Sequence, residues 1–214
     1  MKASVLAEPA DTPKAKVGRQ EIRTKETREL LMRAAKTIFI RDGYEGADLN
    51  DIADLAGRTK GAIYGHFKSK EDIFFALIED HRKEYREKLE RLLSDGEVKQ
   101  NVAVIRRFVV DLVEDSDWAL LQLEFKMFAL RHPETKDRFR NLYSPAGSDR
   151  EQSYVKLFGP AGKTKRSISR AMALHSIFPM LTALLLEAEF EPGLLSNASI
   201  KRVIGGVFDA LIGE

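Results

Sequence analysis

The chain has 214 residues, 43% hydrophobic and 32% charged, a balance that excludes a disordered polymer and allows one large core or two small ones. The absence of cysteine excludes disulfides and thiolate metal sites and suits the cytoplasm, and no apolar run approaches the roughly 20 residues a membrane helix needs. The formal net charge of +2 is unevenly spread: residues 14–70 hold 13 Lys+Arg against 8 Asp+Glu, the remainder 22 against 25, so the first third is the part suited to a polyanion.

Residues 1–20, rich in Ala, Pro, Lys and Asp, read as a flexible arm and not as a secretory signal. Lys14, Lys16, Arg19, Arg23 and Lys25 precede or begin the first helix and could follow a phosphate backbone or enter a minor groove; they are equally the charges of a solvated tail. Helical periodicity starts at Glu21, and Leu31, Ala34, Ala35, Ile38 and Phe39 form one apolar stripe that Gly43 stops. Asp48 opens a short second helix carrying Ile52, Ala53, Leu55 and Ala56, and Gly57 ends it. Thr59 caps a third, Lys60 to about His66, and Ser69 begins a longer one with Ile73, Phe74, Leu77 and Ile78 on its apolar side.

Downstream of the Ser94-Asp95-Gly96 turn the pattern predicts helices over about 99–114, 117–131, 134–157, 164–190 and 197–212, with Ser144-Pro145-Ala146-Gly147 interrupting the third. No alternation is long enough for a strand, so the fold class is all-α. Two short helices joined at a glycine and braced by longer ones are the architecture that offers a helix to the major groove; a plain helical bundle with a solvated polar face has the same pattern. Ile52, Ala53, Ala56, Ala62, Ile63 and Phe67 can share a small core, which leaves Thr59, Lys60, Gly61, Tyr64, Gly65 and His66 on or near the outward side.

The run from Ala47 to Glu71, with its Asp51-Ile52-Ala53, Ala56-Gly57, Thr59, Gly61, Tyr64, Phe67 and Lys68-Ser69-Lys70-Glu71, resembles the DNA-binding signature of the tetracycline-repressor (TetR/AcrR) family of helix-turn-helix regulators. The resemblance is dense over about residues 24–80; the later helices match only in number, length and order. Two positions depart from it: Arg58 stands where the family usually has an apolar residue, and Ala47 where a hydroxyl is common. Arg58 could lose a core contact or add a phosphate contact. The resemblance implies a helix-turn-helix domain over 21–70, a connecting helix over 71–93 and a ligand-binding and dimerisation domain over 94–214. It implies Tyr64 and Lys70 as phosphate anchors, His66 as a weaker one, Thr59, Lys60 and Gly61 as the groove-facing start of the recognition helix, and Asn50 as a polar side chain near the bases. Each also has a structural reading: Tyr64 as packing, His66 as a helix-end cation, Lys70 as a surface charge.

For the effector, Trp118, Leu121, Phe125 and Phe128 form an apolar wall with Glu124 among them, suited to a cationic or hydroxylated small molecule; Glu124 could as well face solvent or pair with a cation. Phe178-Pro179 in mid-helix frees the carbonyl of His175 and could open a cavity or merely bend the helix. Ile200, Val203, Ile204, Val207, Phe208 and Leu211 make an unbroken stripe on the last helix. It is either core within one chain or, as two-fold DNA reading prefers, a four-helix interface between two copies. Gly205-Gly206 lie within it, tolerable where a helix approaches closely.

Enzyme motifs are missing. Gly159-Pro160-Ala161-Gly162-Lys163-Thr164 has two residues between its glycines where a phosphate-binding loop needs four. His66, His81, His132 and His175 have no metal-ligand spacing, and no nucleophile elbow occurs. The sequence thus predicts no enzyme, cofactor or metal, but a homodimeric, cytoplasmic regulator, without a membrane partner, that represses from a palindromic DNA operator and is released by a small apolar or amphipathic effector. The alternative is a helical carrier or enzyme with a vestigial helix-turn-helix.

Overall fold

The computed structural model describes residues 13–93, 98–143 and 170–212, and among them every regular element is helical. The chain forms two compact units, Met1–Leu77 and Ile78–Glu214. The expected flexibility of residues 1–12, the turn at 94–96, the helical segments 144–157 and 164–169, the interruption at 144–147 and the turn at 159–162 lie outside the described residues. No described helix is long and apolar enough to cross a membrane.

The N-terminal unit contains α1 (Pro13–Gly46), α2 (Leu49–Leu55), α3 (Lys60–Tyr64) and the first turns of α4 (Lys70–Leu92). α1 begins at Pro13, ahead of the Glu21 at which periodicity appears, so residues 13–20 are helix and not arm. Gly43 breaks α1 with φ 69 and ψ 177, a backbone state that side-chain-bearing residues rarely adopt, as the expected stop requires. The predicted stripe is the core: Leu31, Ala34, Ala35, Ile38 and Phe39 are all buried, joined by Ile52, Ala53, Ile63, Phe67, Ile73 and Phe74.

Each short helix is started by a side chain that satisfies an orphan amide. The Asp48 carboxylate accepts from Asn50 N at 2.6 Å, and Thr59 Oγ1 accepts from Ala62 N at 3.3 Å. At α4, Ser69 Oγ accepts from Asp72 N and Asp72 Oδ2 accepts from Lys68 N, both at 3.1 Å, a reciprocal pair at the helix start. Gly57 turns the corner between α2 and α3 at φ 62.

The C-terminal unit contains the rest of α4 and then α5 (Val98–Asp111), α6 (Ser116–Arg131), α7 (Lys136–Tyr143), α8 (Arg170–Ala188) and α9 (Asn197–Leu211), with single 3-10 turns at Leu112–Glu114 and Pro133–Thr135. α8 runs through Pro179 as one helix. α6 packs on α8, α8 on α9 and α9 on α5. Their shared core is Ile105 and Val109 of α5, Ala119 of α6, Ala173, Ile177, Leu181 and Leu185 of α8, and Ile200, Ile204 and Phe208 of α9, together with Val113 and Ile212. Ion pairs brace its rim: Arg106 Nε and Nη2 donate to the two carboxylate oxygens of Asp209 at 2.6 and 2.8 Å, and Lys201 Nζ lies 2.5 Å from Glu114. At Gly205 a side chain of α5 comes close: a Cβ there would lie 2.7 Å from Arg106 Nη2, whereas one at Gly206 would meet nothing within 4 Å. The close approach expected at these glycines is therefore made within the chain, by an arginine.

Candidate functional site

α3 is a single short helix with two unlike faces. Ile63 is fully buried and holds it to the core, while Thr59, Lys60, Gly61 and Tyr64 are exposed and Tyr64 keeps 56% of its surface. Thr59 spends its hydroxyl oxygen on the cap, which fixes the direction in which Lys60 and Gly61 leave the corner. A Cβ at Gly61 would meet only Thr59 Oγ1, at 3.7 Å, so the backbone there presents a flat approach. Asn50 is exposed on α2, and His66, at the end of α3, is half-buried. The structure thus brings Asn50, Thr59, Lys60, Gly61 and Tyr64 onto exposed positions of one small unit.

Lys70 departs from this set. Its Nζ donates to the carbonyls of Glu45 and Ala47 at 3.2 and 3.1 Å and lies 4.7 Å from the ring centre of Tyr44. An ammonium at the end of α1 satisfies orphan carbonyls and meets the negative end of the helix dipole, so this side chain is turned inward and is not a free phosphate anchor. Tyr44 below it packs 4.7 Å from Phe74, and burial, reinforced by Glu71 and Glu45, pushes its phenol up to about 12. Arg58 is exposed and donates to Gly57 O at 3.0 Å and to Thr27 Oγ1 at 3.4 Å.

In the C-terminal unit the expected effector residues separate. Leu121, Phe125 and Phe128 are buried, Phe125 stacking on Phe139 of α7 with ring centres 5.4 Å apart; Glu124 is half-buried. His175 and Phe178 are exposed, because Ala173, Ile177 and Leu181 occupy the inward register of α8 and positions between them point away. They do not join the α6 wall. Trp118 does have companions that spacing did not reveal: its ring stacks on His81 of α4 at 3.5 Å, and Tyr85, one turn further along α4, donates to Asp115 Oδ2. His81 Nε2 lies 3.9 Å from that same oxygen. Burial first, then its bond to Asp115, pushes the Tyr85 phenol far above its ordinary value. The His81 and Tyr85 pair, four apart on one helix face, was the sequence signal for this cluster.

The interface stripe also divides. Ile200, Ile204 and Phe208 have no exposed surface within a single chain and cannot gain burial from a second copy, which corrects their expected role. Val203 stays 44% exposed, with Val207 and Leu211 half-buried beside the core.

These features define a class: a small helix-turn-helix head followed by a larger helical unit. Residues 31–77 match the family model described as bacterial regulatory proteins, tetR family. Over that segment of the N-terminal unit the chain is similar to that family. It is 29% identical over 118 residues to the HTH-type transcriptional repressor AcnR of Corynebacterium efficiens, covering 55% of this chain and 58% of the repressor. It is 28% identical over 159 residues to the HTH-type nicotine-responsive transcriptional repressor HdnoR of Paenarthrobacter nicotinovorans, covering 71% and 80%. The chain spans about half the length of the AcnR proteins it matches. In fold it is similar to the transcriptional regulator FadR of Bacillus subtilis in complex with stearoyl-CoA, with TM-score 0.58 and 19% identity over 87% of this chain and 98% of that one.

Proposed function

We propose that the protein is a homodimeric, cytoplasmic transcriptional regulator, a repressor that two helix-turn-helix heads hold on a palindromic operator until a small apolar or amphipathic molecule releases it. The observation that carries this reading is the division of α3, with Ile63 fully buried while Lys60, Gly61 and Tyr64 stay exposed on a helix whose start Thr59 fixes. A helix held from one side and bare on the other can lay lysine, hydroxyl and backbone groups against phosphates and base edges. The DNA-binding domain is 21–70, α4 carries the connection over 71–93, and effector and partner copy act on 94–214.

Two relatives support the effector class: HdnoR is named as nicotine-responsive and FadR was solved with stearoyl-CoA. In this chain Leu121, Phe125 and Phe128 are already buried within one copy, so the effector reading rests on those relatives and on the half-buried Trp118, whose emission can report binding. Val203, Val207 and Leu211 support the contact between copies. Selection from a random duplex pool at physiological salt tests the DNA reading: a palindromic consensus is expected, and a pool that stays random after repeated rounds would sink it. Titrating the selected duplex complex with a long-chain acyl-CoA, while following the emission of Trp118, tests release.

A further inference from the structure

The first turns of α1 are a described segment to which the proposed function gives no contact of their own. Among the residues of the helix whose burial is described, Gln20 to Glu26 are all exposed and the first buried one is Leu31. Its composition is ordered by face. Lys16, Arg19, Arg23 and Thr27 follow at spacings of three, four and four residues, which keeps them in one register of a helix. Gln20 and Thr24 fall within that register, Glu21 and Glu29 outside it together with Lys14, Lys25 and Arg28, and Glu26 at its border. Thr27 is where this face meets the reading head, because Arg58 at the α2–α3 corner donates Nε to Thr27 Oγ1 and Nη1 to Gly57 O.

We infer that Arg58 and the Arg23 face of α1 form a second DNA-contacting surface, a ridge that grips backbone phosphates beside the bases read by α3. The inference rests on the DNA-binding reading above and deepens it. The two hydrogen bonds of Arg58 use two of its five N–H donors, leaving a fork suited to the paired oxygens of a phosphate. Being helical, the segment is about 10–12 Å across with side chains, too wide for a minor groove about 6 Å wide. Its cations therefore run along the backbone and do not thread the groove floor. The position that departs from the family pattern, Arg58, thus joins the corner to the ridge.

The test uses the full chain and a fluorescein-labelled mixed-sequence duplex of about 40 base pairs, whose binding is set by counterion release alone. Anisotropy titrations across salt concentrations give the slope of log K on log salt. Arg23→Ala and Arg58→Ala should each lower the slope by about 1 and the double variant by about 2. Arg107→Ala, the same charge change in the C-terminal unit, should leave it where it was. Thermal melts check that Arg58→Ala still folds, and Arg23, exposed and outside the core, carries the test if it does not. Wild-type slopes in both variants, with a lowered slope in Lys60→Ala, would overturn the ridge and leave the DNA reading standing. No salt-dependent duplex binding by the wild type would overturn both. A changed sedimentation coefficient in Arg23→Ala with an unchanged slope would mean that the face pairs with a second copy, and would overturn the ridge.

Discussion

The two units are held by polar contacts of opposite range. In the N-terminal unit, caps join near neighbours: Asp48 to Asn50, Thr59 to Ala62 and Ser69 to Asp72, with separations of two or three residues. In the C-terminal unit the bracing contacts cross the chain, Arg106 to Asp209 at a separation of 103 and Asn197 to Glu114 at 83. The difference teaches where each unit can vary. A head built from local caps keeps a recognisable motif, since each residue answers to a neighbour in sequence. A unit closed by distant pairs and a broad apolar core tolerates many sequences, provided volume and partner are conserved together. The family match accordingly falls on residues 31–77 and stops at the boundary between the units.

The largest effect expected from this contrast is in the C-terminal core. Phe208 is fully buried among side chains of α5, α8 and α9, so Phe208→Ala should cost about 3–5 kcal/mol, read as a lower denaturation midpoint. Val203→Asp, on the exposed side of the same helix, should leave monomer stability within about 0.5 kcal/mol while shifting sedimentation from dimer to monomer. If Val203→Asp unfolded the chain and Phe208→Ala did not, the division of the α9 stripe would be assigned the wrong way round.

Next comes an exception to the local rule in the head, as the Arg58 to Thr27 bond also is. Lys70 reaches back 25 and 23 residues to two carbonyls, and losing these charge-assisted bonds at a helix end should cost about 1–2 kcal/mol. Lys70→Ala should therefore lower the melting temperature and leave the salt slope of duplex binding unchanged. The reverse result, a shallower slope at unchanged stability, would make Lys70 a phosphate anchor after all.

The same contrast explains what was legible. The stripe from Leu31 to Phe39, the stops at Gly43 and Gly57 and the caps Asp48 and Thr59 are each set by neighbours, and the sequence displays them. The start of α1 at Pro13 is not marked in the sequence because periodicity reports an apolar stripe, and Pro13 to Gln20 carry none. The inward turn of Lys70 escaped because its partners are backbone carbonyls, which leave no mark in side-chain pattern. On α9 the stripe is buried within the chain at Ile200, Ile204 and Phe208 and exposed at Val203, and periodicity cannot say which surface covers the rest. His175 and Phe178 were misplaced for a related reason. Pro179 drew attention to its neighbourhood, yet the register of Ala173, Ile177, Leu181 and Leu185 decides which positions face inward.

The smallest effect concerns the longest contact. Arg106 holds the Asp209 carboxyl below its ordinary value of 3.8, chiefly through their hydrogen bond and further through its charge. A depressed carboxyl stabilises the fold at every pH above that ordinary value and loses the contribution as pH falls through the folded value beneath it. Both side chains are largely exposed, so screening limits the pair, and Asp209→Asn should cost about 0.2–1 kcal/mol near neutrality. The gap between wild type and variant should be level across the neutral range and close only on the acid side of the ordinary aspartate value. It should also narrow at about 1 M salt, where the screening length falls to roughly 3 Å. Arg106→Ala should cost more than Asp209→Asn, because the guanidinium also covers Gly205 and its removal strips packing as well as charge. Denaturant midpoints of the two variants at several pH values measure this. A gap that widened on acidification, or equal costs for the two variants, would show that the pair does not brace α9 against α5.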